Sequence, residues 1–291
     1  MSFCFPVEEQ YRGDGMPNQV ARQLRRWGHR VEVLRPGGEL LELNSLVRSG
    51  RHDAWVLKTV SGGPGLGLLE AAAACGLTTI NDARAIRGVR DKAAAAVIAA
   101  GSGLPVPQTW AAARLADLAR ISGGRYPLVV KPADGSSGRG VHLVRRPEEL
   151  LALAGEFAGA GLLIAQPYVP NSGVDLKVYC VGGRLYGTER TSPLEHGREV
   201  RDRPVPLTSE VAAIAARIGE IFGLDLYGVD IVHGPDGPIV VDINDFPSFR
   251  KVPRAVETVA HAVLELARHG TSRPVLRPVE FDSRVPVAAR W

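Results

Sequence analysis

The chain has few residues that could cross-link it. Only three of its 291 residues are cysteine, and Cys4, Cys75 and Cys180 are scattered, with no spacing typical of metal ligands. So small and odd a number argues against a disulfide framework and is typical of a reducing compartment. A chain of this length buries a core large enough to fold without such cross-links.

Long apolar segments are also missing. No stretch of about eighteen apolar residues occurs, so the sequence predicts no membrane-spanning helix. The first residues lack the basic and apolar regions of a signal peptide, because Glu8, Glu9 and Arg12 interrupt them. We therefore expect a cytoplasmic protein with no membrane partner.

Neither sign of charge is in marked excess. Lysine and arginine total 35 against 31 aspartate and glutamate, which gives a formal net charge of +4. Nucleic-acid-binding proteins usually cluster their basic residues, and no such cluster occurs here. We therefore expect no nucleic-acid partner, whereas the small positive balance suits an anionic substrate. With 45% hydrophobic and 23% charged residues, the composition is that of an ordinary globular protein.

What the sequence does contain is an alternation of strands and helices in its first ninety residues. The pattern predicts a helix over 19–30, strands over 31–34 and 54–57, a helix over 67–75 and a strand over 78–80. Strands alternating with helices favour a parallel sheet covered by helices. We predict that residues 1–90 form an N-terminal Rossmann-like lobe.

From residue 128 onwards the pattern favours hairpins. Strands are predicted over 128–130, 141–144, 162–165, 178–181, 231–233 and 239–243, and helices over 91–100, 211–222 and 256–268. The fold class is therefore mixed α/β (α+β). We predict a second domain over 91–270, with a central lobe at about 110–168 and a C-terminal lobe at about 169–270, and an irregular tail over 271–291.

One loop has the composition of a phosphate-binding turn. Ser136, Ser137, Gly138, Arg139 and Gly140 follow the Lys131-Pro132 pair. Glycines let backbone N–H groups turn toward an anion, and serine hydroxyls add donors. The loop lacks the Gly-Lys-Ser/Thr sequence of a Walker A motif. A plain hairpin turn is the alternative for this segment considered alone.

A set of hard oxygen ligands occurs near the end of the chain. Asp242 and Asn244 lie two residues apart in a predicted strand and so project to the same face. Asp230 lies on a neighbouring predicted strand. Two carboxylates and an amide oxygen suit Mg²⁺ that bridges substrate phosphates. Capping of turns is the alternative for each residue taken alone, but the three together favour a metal site.

The order of several motifs resembles the ATP-grasp superfamily over residues from about 50 to 265. The motifs are Asp91-Lys92, Leu104 to Thr109, Val129 to Pro132, the Ser136 to Gly140 loop, Gln166 to Val169, Asp175 to Tyr179, and Asp230 with Asp242 to Asn244. Each motif is weak by itself, whereas the ordered set is specific. Within the superfamily the chain is most similar to RimK-type ligases and to inositol trisphosphate kinases.

The resemblance implies a role for each motif. Lys92 and Lys131 would contact the phosphates of ATP, and the loop with Ser136, Ser137, Gly138 and Gly140 would close over them. Gln166, Pro167, Tyr168 and Val169 would form the adenine-binding hinge, and Asp175 would lie near the ribose. Asp230, Asp242 and Asn244 would hold one or two Mg²⁺ ions, with Mn²⁺ as an alternative. We also expect Lys131, Lys177 and Arg190 to act on the transferred phosphate, Arg190 because it follows the predicted strand at Leu185-Tyr186.

The resemblance leaves two reactions open. The first is a carboxylate–amine ligase that forms an amide through an acyl phosphate and releases ADP and phosphate. The second is a kinase for a polyol or inositol phosphate, favoured by the stretch from Asp242 to Phe249 and by Lys177-Val178-Tyr179. We expect the ligase. A non-catalytic nucleotide-binding module is least favoured, since no metal ligand is missing.

The acceptor site is predicted only in outline. We expect a small acidic or phosphorylated acceptor beside ATP. Lys58, at the end of a predicted strand, and Ser248 and Arg250, just past the metal strand, are the candidate acceptor contacts. A homodimer is compatible with the sequence.

Overall fold

The computed structural model describes residues 1–13, 15–60, 63–134, 140–192, 194 and 202–274. The helices in these ranges are α1 (Met16–Arg26), α2 (Leu43–Arg48), α3 (Gly65–Ala74), α4 (Ala83–Arg90), α5 (Lys92–Gly101), α6 (Leu115–Leu118), α7 (Ser209–Phe222) and α8 (Ala255–His269). The strands are β1 (Ser2–Pro6), β2 (Arg30–Leu34), β3 (Ala54–Val56), β4 (Thr79–Ile80), β5 (Trp110–Ala112), β6 (Leu128–Pro132), β7 (His142–Val144), β8 (Leu163–Pro167), β9 (Val174–Val181), β10 (Arg184–Thr191), β11 (Arg203–Val205), β12 (Leu226–Gly234) and β13 (Gly237–Asp245). None of the described helices is long and apolar enough to cross a membrane.

The first four strands form a parallel sheet in the order β2-β1-β3-β4. Its central strand β1 is not among the predicted strands, because its short sequence Ser-Phe-Cys-Phe-Pro has no polar alternation. Phe3, Cys4 and Phe5 are nevertheless fully buried. In such sheets, ligand-binding residues follow the carboxyl ends of the strands. Lys58 and Thr59 lie in that position, two and three residues after β3.

The remaining strands form two antiparallel sheets. One has the order β5-β8-β6-β7 and contains the predicted hairpin, since β6 pairs antiparallel with β7. The other has the order β11-β10-β9-β12-β13. Strands β12 and β13 are nine residues each, much longer than predicted, because their polar residues interrupt the apolar pattern without ending the strands.

Helix boundaries differ from the prediction for local reasons. The first helix covers Met16–Arg26 rather than 19–30, because Pro17 suits the first helical turn. It ends before Gly28, whose φ of +85° only glycine adopts readily. Helix α7 begins at the Thr208 cap, where the hydroxyl accepts from Val211 N at 3.3 Å.

The buried side chain of Asn81, just after β4, joins the parallel sheet to the five-stranded sheet that contains β12. The Asn81 amide donates to the Leu226 carbonyl at 2.8 Å and accepts from the backbone N–H groups of Asp225 and Leu226 at 2.9 and 2.8 Å. Asn81 is fully buried, so these bonds satisfy polar groups that water cannot reach. They fix the start of β12, the strand that carries Asp230.

Candidate active site

A cavity of about 290 Å³ lies between the two antiparallel sheets. It brings together residues predicted for the nucleotide and the metal: Lys92, Lys131, Gln166, Pro167, Tyr168, Val169, Asp175, Lys177, Arg190, Asp230, Asp242 and Asn244. Four of these are cationic and three are carboxylates. A concave site with convergent charges of both signs is the usual form of a nucleotide-binding or catalytic site.

Strand pairing aligns the central charged residues in one row. Asp230 of β12 lies opposite Asp242 of β13 on one side and opposite Lys177 of β9 on the other. The Lys177 ammonium is 2.8 Å from Asp230 Oδ1, and both side chains are only 8% exposed. Directly opposite side chains in a sheet share a face, so the pairing places these charges at the floor of the cavity.

Asn244 completes the predicted metal set. Its Nδ2 lies 3.2 Å from Asp230 Oδ2 and 3.3 Å from Asp242 Oδ2. Rotation of the amide by half a turn would exchange its two atoms and bring the oxygen, the atom that Mg²⁺ binds, toward an ion shared with the two carboxylates. Among the described residues no group of three His, Cys, Asp or Glu could hold a metal by itself. Two carboxylates and an amide still fit Mg²⁺, which is held by few protein ligands plus phosphates and water.

A β-bulge between β12 and β13, which the sequence pattern does not predict, leaves Val241 unpaired in the sheet. The pairing of β12 with β13 shifts between Asp230 and Ile231, so Val241 has no opposite residue. The Lys131 ammonium donates to the Val241 carbonyl at 3.0 Å. Bulges near active sites redirect a backbone or side-chain group. Here the bulge holds Lys131 beside β13.

The lysines and carboxylates shift each other's protonation. Burial tends to raise the pKa of Asp242, but Lys92, which is hydrogen-bonded to it, and Lys131 outweigh burial and hold the pKa below its usual value. Burial lowers the pKa of Lys131, and Asp242 partly offsets that effect. Asp242 therefore remains ionised at neutral pH, which a metal ligand requires.

Asp175 and Arg190 form the side of the cavity away from β13. They lie opposite each other on β9 and β10, and the guanidinium is 3.7 Å from Asp175 Oδ2 and 3.1 Å from Asp230 Oδ1. Asp175 Oδ1 and Arg190 Nε are buried without a hydrogen-bond partner in the described part of the chain. Burial raises the pKa of Asp175, and Arg190 opposes the rise. A bound polar ligand would satisfy these atoms.

The predicted hinge also lines the cavity. Tyr168 N donates to the Pro127 carbonyl at 2.8 Å, and Pro167 has no N–H. The Asn171 side chain donates to the Val169 carbonyl and accepts from Gly173 N, both at 2.8 Å, so it shapes the turn after the hinge. Asn171 lines the cavity and was not predicted. Its position just past the hinge, before Gly173, is the sequence signal that could have indicated it.

Other predicted residues lie outside this cavity or outside the described ranges. Ser136, Ser137 and Gly138 belong to the segment 135–139, which is not described. Gly140 is described, and its φ is +68°. Ser248 and Arg250 are exposed in the loop after β13. Lys58 does not line the cavity; its ammonium donates to the Phe246 carbonyl at 2.6 Å and lies 5.3 Å from the centre of the Tyr11 ring.

Lys58 leads to a pH-dependent stability prediction. Burial, with added repulsion from Lys177, Arg90 and Arg250, outweighs Asp245 and lowers the pKa of Lys58 from 10.5 to about 8. Between these values the unfolded chain binds more protons than the folded chain, so the Lys58 contribution to stability rises with pH. Lys58→Met removes the cost of burying this charge, up to about 3 kcal/mol at pH 7, which exceeds the hydrogen bond to the Phe246 carbonyl that it also removes, so the variant should be more stable than the wild type.

The measurement is urea unfolding of both proteins from pH 7 to pH 10. The stability difference should shrink as the pH rises through 8. Lys251→Met, which removes a half-exposed lysine paired with Asp202, is the control and should change the free energy of unfolding by no more than about 1 kcal/mol. A Lys58→Met variant less stable than wild type at pH 7 would contradict the predicted sign.

Comparison with known proteins agrees with this geometry. The family model of the RimK-like ATP-grasp domain matches residues 89–266. A relative from Teredinibacter turnerae, described as a probable alpha-L-glutamate ligase, is 30% identical over 204 residues, which are 65% of this chain and 67% of that protein.

Solved structures share the fold. A RimK domain ATP-grasp protein from Sphaerobacter thermophilus superposes with a TM-score of 0.70 at 20% identity and covers 91% of this chain and 100% of its own. The D-cycloserine synthetase DcsG gives a TM-score of 0.69 at 21% identity, with 92% of this chain and 100% of its own covered. At these identities the likeness establishes the ATP-grasp fold.

Proposed function

The chain belongs to the RimK-like ATP-grasp family and is an ATP-dependent carboxylate–amine ligase, and from that premise we propose that L-glutamate is one of its two substrates. The name of the Teredinibacter relative supports this choice. The charges near the site support an acidic substrate as well. Three cations, Lys177, Arg90 and Arg250, lie close enough to Lys58 to lower its pKa, and Asp245 is the one carboxylate that raises it. Positive charge therefore exceeds negative charge around Lys58.

The row of Asp242, Asp230 and Lys177 at the floor of the cavity is the observation that supports phosphoryl transfer at this site. Phosphoryl transfer needs positioning and neutralisation of charge more than covalent help from the protein. A divalent ion held by Asp230, Asp242 and Asn244 would neutralise the β- and γ-phosphates. Lys92 and Lys131, which contact the same strand, would hold the phosphates from the other side.

The chemistry then proceeds in two steps. A carboxylate oxygen of one substrate attacks the γ-phosphorus, the bond to the β-phosphate oxygen breaks, and ADP leaves. The amine of the other substrate attacks the acyl carbon, loses a proton and expels phosphate, which forms the amide. Lys177 and Arg190, which both contact Asp230, would stabilise the charge that develops on the transferred group.

We further propose the finer features predicted from the sequence. These are an ATP-grasp domain over 91–270 after an N-terminal lobe, an adenine hinge at Gln166 to Val169, a ribose contact from Asp175, acceptor contacts from Lys58, Ser248 and Arg250, one or two Mg²⁺ ions and a cytoplasmic location. The orphaned Asp175 Oδ1 supports the ribose contact, because a hydroxyl would give it a hydrogen bond.

The kinase alternative has lost the residues that favoured it. Phe246 and Phe249 are fully buried and Tyr179 is 7% exposed, all in one core cluster. Pro247 packs on Gly228, where a Cβ atom would lie 3.0 Å from the proline ring. Packing thus accounts for Phe246, Pro247 and Phe249, whereas Asp242 and Asn244 line the cavity.

The test is product analysis by mass spectrometry with Mg·ATP and a pooled panel of acids, amines and polyol phosphates. We expect ADP, phosphate and a condensed product whose mass includes glutamate. A condensed product without glutamate would contradict the substrate proposal alone. A phosphorylated polyol with no condensed product would support the kinase instead.

A further inference from the structure

The loop that follows the metal strand has an unusual backbone. Phe246 and Phe249 have φ values of +39° and +53°, the left-handed region that side chains other than glycine rarely adopt. Each such residue costs about 1–2 kcal/mol, so the surroundings must hold it in place. At Phe246 they do: N–H donates to Leu226 at 2.9 Å, the carbonyl accepts from Lys58, and the ring is fully buried.

Asp245, the residue between this loop and Asn244, is contacted by residues of the N-terminal lobe. Asp245 follows Asn244 directly, and its side chain is only 2% exposed. The Thr59 hydroxyl donates to Asp245 Oδ2 at 2.5 Å, and the Arg90 guanidinium is 3.8 Å from Asp245 Oδ1. The buried carboxylate thus has a partner for each oxygen, and Thr59 supplies the short one.

The same region holds both ends of the metal-binding segment. Arg90 ends α4 and Lys92 begins α5, and these two residues pair with Asp245 and Asp242 respectively. Lys58 and Thr59 hold the segment from the loop after β3. The end of β13 is therefore held by α4, α5 and the loop after β3, with Asn244 between the held residues Asp242 and Asp245.

We propose that Thr59 is a positioning residue for the divalent-ion site: its hydroxyl fixes Asp245, and through Asp245 it fixes the direction of the Asn244 side chain. The inference rests on the proposed metal set of Asp230, Asp242 and Asn244. Thr59 itself touches neither the cavity nor the ion. It acts by limiting how far the strand end can rotate.

Loss of this hydroxyl should weaken metal binding. Groups that orient metal ligands typically contribute 10- to 100-fold to affinity. Because Thr59 acts through a neighbouring residue, we expect the smaller effect. Thr59→Val keeps the shape of the side chain and removes only the donor, so the dissociation constant for the ion should rise about tenfold. Thr59→Ser keeps the hydroxyl donor, so its dissociation constant for the ion should lie within about twofold of the wild-type value.

The experiment is titration of Mn²⁺ into the full chain with ADP present, followed by the electron paramagnetic resonance signal of free Mn²⁺. It needs no acceptor and no turnover. The matched control is Thr208→Val, which removes a hydroxyl that caps α7 and costs stability, typically about 1 kcal/mol, at a residue that does not line the cavity. It should leave the Mn²⁺ dissociation constant unchanged.

The outcomes separate this inference from the metal assignment. Asp242→Asn should abolish most Mn²⁺ binding; if it does not, the proposed metal set is wrong. If Asp242→Asn weakens binding but folded Thr59→Val binds as wild type, the positioning role is wrong. Should Thr59→Val fail to fold, Asp245→Asn removes the charge that pairs with Arg90 and is expected to weaken Mn²⁺ binding likewise; wild-type affinity in that variant would overturn the inference.

Discussion

Replacing Asp242 with asparagine should lower ATP turnover by about a hundred- to a thousandfold, the usual effect of removing one preorganised charge contact. Asp242 contacts both the lysines and the other proposed metal ligands. It pairs with Lys92, and Lys92 and Lys131 lower its pKa. It also lies opposite Asp230 in the sheet. Asparagine keeps the size of the side chain but not its charge. The fold should survive, because the strand pairing and the core around it are unchanged.

The measurement is ADP release in a coupled assay, with far-ultraviolet circular dichroism to confirm folding. Asp117→Asn is the matched control, because Asp117 pairs with the exposed Arg114 on the surface. That variant should turn over at the wild-type rate. A folded Asp242→Asn variant with normal ADP release would remove the metal role from this residue.

Replacing Lys131 with methionine is expected to have an effect of similar size, about a hundredfold or more on turnover. Lys131 is 7% exposed and is held by the bulge carbonyl of Val241, so its charge lies at a fixed position beside the cavity. Burial lowers its pKa, which means that the folded chain bears a cost to keep it charged. Burying a charge is unfavourable unless the charge is paired, so a charged lysine at this position is consistent with a bound anion beside it.

The measurement is the dependence of ADP release on ATP concentration. Lys131→Arg keeps a positive charge in a wider head group and should lose about tenfold, less than the methionine variant. Thermal unfolding should show that Lys131→Met folds at least as well as wild type. Unchanged kinetics in folded Lys131→Met would show that the lysine does not contact ATP.

The juxtaposition of Asp230, Asp242 and Asn244 could be predicted because it depends on local rules. Side chains two apart in a strand share a face, and Asp242 and Asn244 do so. The neighbouring strand β12 was predicted from its apolar residues, and its pairing brings Asp230 opposite Asp242. The lysines belong to the motifs that resemble the ATP-grasp superfamily, and Lys92, Lys131 and Lys177 all line the cavity.

Other features of the fold and of the site could not be predicted, because they depend on contacts between segments that are distant in the sequence. The bulge at Val241 is a matter of register between two strands, which alternation alone does not determine. The Thr59–Asp245 hydrogen bond joins residues 186 positions apart. Strand β1 lacks alternation because it is buried on both faces, as central strands of parallel sheets are.

Activation of a carboxylate by the γ-phosphate leaves an isotopic trace. The experiment uses substrate whose carboxylate carries ¹⁸O, incubated with Mg·ATP and its amine partner. We expect one ¹⁸O atom in the inorganic phosphate for each amide formed, because the acyl–oxygen bond breaks when phosphate leaves. Amide formation with unlabelled phosphate, or phosphate transfer to a hydroxyl with no amide, would show that the carboxylate is not activated in this way.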